Sequence, residues 1–69
     1  MKTLLDELNT LLANSELNLP SFRCNVSRSG QNKQWLEKNL KRHPSCPDRI
    51  KQLVAMPMAA LISSPSEAS

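Results

Sequence analysis

The sequence predicts an all-α fold of three short helices, with an extended segment or a single short strand between the first and second. Three observations lead there. Leucine supplies eleven of the 69 residues, while glycine occurs once and β-branched apolar residues are few; that composition disfavours a β sandwich or barrel. Apolar residues recur at helical spacing in three places. Prolines and a Ser-rich end mark the breaks between them. A chain this short forms one domain, expected over residues 1–62, with 63–69 a disordered tail rich in Ser. Such a domain buries only about 60% of its unfolded surface, so a second copy would add stabilising area and a homodimer is expected.

The first helix is expected from 3 to about 14. Leu4, Leu5, Leu8, Leu11 and Leu12 fill an arc of roughly 120° at 100° per residue. Asp6, Glu7, Asn9 and Thr10 point elsewhere. Thr3 and Asp6 have capping-box spacing, and Asp6 and Glu7 suit the positive end of the helix dipole. Pro20 forbids continuation. In residues 21–27, Phe22, Cys24 and Val26 alternate with Arg23, Asn25 and Ser27. This period of two marks either a half-buried strand, pairing with its copy in a dimer, or an extended connector that plugs the core.

Ser27 to Gly30 read as a turn or helix entry, with Ser29 as candidate N-cap. The second helix is expected from Gln31 to Arg42. Trp35, Leu36 and Leu40 share one face, and Gln34, Lys38, Lys41 and Arg42 the other. Glu37 and Lys41 have the spacing of an ion pair, and Pro44 stops the helix. Ser45, Pro47 and Asp48 announce the third helix, combining a cap, a preset φ and a capping-box acid. Ile50, Leu53 and Val54 are its apolar stripe. Pro57 ends or kinks it, and Met58 to Ile62 can add one more apolar turn.

Charge is unevenly spread. Eight of the nine basic residues lie between Arg23 and Lys51, against Glu37 and Asp48. An acidic partner follows, either nucleic acid or an acidic protein surface. Two cysteines cannot build a disulfide scaffold. Asp6 and Glu7 interrupt any secretory signal. The apolar stretch from Val54 to Ile62 is about half a membrane span, so no membrane partner is expected. The setting expected is cytoplasmic and reducing.

Two short helices joined through His43-Pro-Ser-Cys46 have the spacing of a helix-turn-helix. The start of the third helix would then enter the major groove. Arg49, Lys51 and Gln52 would face bases, since Arg suits guanine and Gln suits adenine through bidentate bonds. Lys33, Lys38, Lys41 and Arg42 would hold phosphates, with Arg28 in the same basic stretch. A second geometry places Arg23, Asn25 and Ser27 on a paired strand facing bases, in the strand-helix-helix order of elements. The bland reading is a helical hairpin with solvated Lys and Arg. The leading expectation is thus a small non-enzymatic regulator that binds duplex DNA. The alternative is an adaptor or inhibitor that docks a larger protein through its basic face and leucine-rich helix.

Other chemistries are disfavoured. Cys24, His43 and Cys46 are one ligand short of a structural zinc site. Their ordinary placements are a buried Cys24, a capping Cys46 and a surface His43. His43 and Cys46 are too close in sequence for the usual nucleophile pair. Gly30 stands alone, so there is no phosphate loop, and no cofactor is expected. Trp35 lies on an apolar face and reads as a core anchor rather than a base-stacking platform.

Overall fold

The computed structural model describes residues 2–20, 22 and 24–66. Four helices follow one another: α1 (Leu4–Asn14), α2 (Lys33–Lys41), α3 (Asp48–Ala55) and α4 (Met58–Ser63). α1 packs against α3 and α4, and α2 packs against α3. The radius of gyration is 10.9 Å, which matches the value of about 11 Å for a compact chain of this length. None of the described helices is long and apolar enough to cross a membrane.

The α1 stripe becomes the centre of the core. Leu4, Leu5, Leu8 and Leu12 are buried, with Leu11 packed partly against them. Leu36 and Leu40 of α2, Ile50, Leu53 and Val54 of α3, and Leu61 of α4 meet them. Val26, Leu17 and Cys46 complete the cluster from the connections. Trp35 is partly buried against its edge. The Thr3–Asp6 capping box forms as expected. The Thr3 N–H donates to Asp6 Oδ2 at 3.0 Å, and the Asp6 N–H donates to Thr3 Oγ1 at 3.4 Å.

Several expectations are corrected. There is a fourth helix, because Pro57 both ends α3 and opens α4. Its ring and missing N–H cannot continue α3, yet its carbonyl accepts the Leu61 N–H at 3.1 Å. Pro47 does the same for α3, taking the Lys51 N–H at 3.2 Å. It occupies the N-cap position, and no side chain caps α3. Ser45 is therefore not the cap; its own N–H donates to His43 Nδ1 at 3.1 Å. Ser29 does not cap α2 either. Its hydroxyl bonds to Ser27 at 2.7 Å, and the N-cap is Asn32. The turn between them closes through Gly30, whose φ of +74° suits a residue without Cβ. Glu37 pairs with Lys33 at 3.9 Å, one turn back, rather than with Lys41.

No strand forms among the described residues of 22–26. The reason is an amide on α1. Asn9 Nδ2 donates to the Val26 carbonyl at 2.8 Å, and the Val26 N–H donates to Asn9 Oδ1 at 2.7 Å. Both backbone groups of Val26 are thus satisfied by one side chain, where a strand would have needed a neighbouring strand. Val26 is buried and Cys24 half-buried, but Phe22, expected in the core, is 72% exposed. Arg23 lies outside the described residues. Cys46, expected at a cap, is buried, and burial pushes its thiol pKa up; Cys24, expected to be buried, is half-buried.

The chain after α4 returns to the start of α1. Thr3 and Pro65 form an isolated antiparallel bridge. The Leu4 N–H donates to the Ser64 carbonyl at 3.0 Å, and the Ser66 N–H donates to the Lys2 carbonyl at 2.8 Å. Ser66 is buried. Residues 63–66, placed in the tail by composition, thus include the end of α4 and a segment held by backbone bonds, with Ser63 and Pro65 exposed; 67–69 lie outside the described residues.

Candidate nucleic-acid interface

α2 presents its cations away from the core. At about 100° per residue, Lys38, Lys41 and the C-cap Arg42 fall within an arc of roughly 100°, opposite Leu36 and Leu40. All three are exposed and line one shallow surface depression. Lys41 also borders the crevice between α2 and α3, where Lys51, Glu37, Val54 and Ala55 meet it. Lys41 therefore borders both the depression of Lys38 and Arg42 and the crevice that holds the half-buried Lys51, with the Glu37 carboxylate in the same crevice. Lys38 and Lys41 also lie in the last turn of α2, where cations complement the partial negative charge of the helix end.

The other candidates are not gathered there. Lys33 is half-buried and paired with Glu37. Arg28 is exposed near Asp6, where its charge adds to a lowering of the Asp6 pKa whose main cause is the Thr3 backbone bond. Asn25 is exposed, with its carbonyl accepting from Asn32 Nδ2 at 3.2 Å. Arg23 is outside the described residues. Gln52 is exposed on the outer face of α3, about 40° from Asp48.

Arg49 has another occupation. Its Nε donates to Glu7 Oε2 at 2.6 Å. The second oxygen of that carboxylate accepts from Ser66 Oγ at 2.6 Å. The Glu7 side chain is only 9% exposed, against 44% for Arg49. The Arg49 hydrogen bond, followed by that of Ser66, holds the Glu7 pKa below its ordinary value. Arg49 and Lys51 lie about 160° apart around α3. One therefore faces α1 and the other the crevice with α2.

Sequence reasoning passed over Glu7, Asn9 and Ser66. A signal existed for the first two. On the α1 wheel both border the leucine arc, each about 40° beyond its outermost leucine, whereas Asp6 and Thr10 lie on the far side. Polar side chains at the rim of an apolar stripe can reach across to neighbouring elements. Nothing in the pattern around Ser66 foretold a buried hydroxyl. Among the described residues, no group of three or more His, Cys, Asp or Glu side chains is placed to hold a metal ion. Comparison with protein-family models, curated proteins and solved structures found no match to this chain.

Proposed function

We propose that this chain is a small non-enzymatic protein that binds duplex DNA through the outer face of α2 and the adjoining edge of α3, in a regulatory role. The observation that carries the reading is the exposed cluster of Lys38, Lys41 and Arg42 on one face, with Lys51 beside Lys41 across a crevice that also holds Glu37. Phosphates spaced along a duplex match such a cluster of cations, and binding releases their condensed counterions. The order of α2, a short turn and α3 has helix-turn-helix spacing, but the docking proposed here uses the outer face of α2 and the edge of α3 rather than insertion of the start of α3. Here α2 supplies more of the contact than the sequence suggested, and α3 less.

The adaptor reading has less support. It called for two docking surfaces, and Leu4, Leu5, Leu8 and Leu12 of the leucine-rich helix are consumed by the chain's own core.

The test is the double variant Lys38→Glu with Lys41→Glu. Both side chains are exposed, so helix content measured by circular dichroism should be unchanged. Affinity for duplex DNA at low salt should fall at least about tenfold, because two attractive contacts become repulsive. Unchanged affinity would remove this face from the account.

A further inference from the structure

We infer that the basic face holds the phosphate backbone of duplex DNA without reading base sequence. This rests on the DNA-binding reading above and sharpens it to a class of target: any duplex rather than an operator.

Three observations carry the inference. The first is the occupation of Arg49. Base readout by arginine relies on the guanidinium fork meeting guanine O6 and N7 in a bidentate way. In this fold the Arg49 Nε is committed to Glu7 at 2.6 Å, and Ser66 braces that carboxylate from its other oxygen at 2.6 Å. The arginine is thus tied toward α1, on the edge of α3 remote from Lys51.

The second is the character of the outer α3 face. Gln52 shares it with Asp48, the first residue of α3, and both are exposed. A recognition helix enters the groove by its N-terminal residues. An exposed carboxylate there approaches the phosphates early and is repelled by them.

The third is the composition of the remaining surface. Lys38, Lys41 and Lys51 are ammonium groups on flexible stems, which suit phosphates as point charges and fix a base edge less firmly than the planar fork of arginine. Arg42 sits at the C-cap of α2, grouped with Lys38 and Lys41 in the same depression. Contacts of this kind position a protein on a duplex and carry no sequence information.

The unaltered chain can be presented with a pool of duplexes whose central segment is randomised, with bound molecules recovered over successive rounds. The recovered pool should keep its starting base composition. Any one duplex and its scrambled counterpart should then bind within about threefold of each other. Enrichment of a motif bound about a hundredfold more tightly than its scrambled form would overturn the inference and leave DNA binding standing. Failure to bind any duplex at low salt would overturn both. A second arm uses Arg49→Ala and Lys41→Ala, each checked as folded by circular dichroism. Lys41→Ala should reduce the dependence of log affinity on log salt by about one, and Arg49→Ala should leave it unchanged. The reverse ranking would show that Arg49 contacts the duplex and would count against the inference.

Discussion

Glu7 joins three parts of the chain with one carboxylate. Through Arg49 it fixes α3 to α1, and through Ser66 it fixes the returning segment after α4. The sign of its pH dependence follows. Its folded-state pKa lies below the ordinary value of 4.5. The stabilisation is therefore fully present above that value and is lost as pH falls through the folded pKa. Asp6 is shifted in the same direction by its cap bonds and adds to the same window. Thermal melting followed from pH 7 downward should show a plateau and then a decline beginning at about pH 5. Glu7→Gln should flatten part of that decline and cost roughly 1 kcal/mol at neutral pH, the exposure of Arg49 holding the figure down. A variant with the parent's pH profile would show that Glu7 does not form the joint.

At the scale of elements, helices were legible because each carries its own apolar period. The capping box at Thr3 was legible for the same local reason. The α2 cations of Lys38, Lys41 and Arg42 were also placed on their outer face by periodicity alone. What the sequence could not show was non-local. A period of two at Phe22 to Val26 describes a strand only when another backbone is available. Instead the Asn9 amide, 17 residues away, supplies both bonds to Val26. Likewise Arg49 reads as a base contact until its partner, 42 residues back, is in view. The Asn9 bridge gives a direct prediction. Asn9→Ala leaves the buried Val26 groups without that partner and should cost about 2 kcal/mol in denaturant unfolding. The Val26 amide should also lose protection from hydrogen exchange well before those in α3. Equal protection in parent and variant would mean that the bridge contributes little.

At the scale of the molecule, the grounds for self-association have changed. The strand that would pair with its copy is absent among the described residues, and the leucine stripe is filled from within. Among the described residues, Phe22 and Ile62 are the large apolar side chains left exposed, which is a small area from which to build an interface of standard size. Sedimentation equilibrium should therefore give the mass of one chain, 7.7 kDa, at micromolar concentration; a mass of two chains would show an interface on some other surface. Among the described residues, Lys38, Lys41 and Arg42 stand exposed together on α2 and its cap, with Lys51 half-buried beside them. The salt dependence of duplex binding tests the role proposed for these cations most directly. Four cations on phosphates predict a slope of log affinity against log salt of roughly −3 to −4. Binding that ignores salt, or no binding at low salt, would contradict it.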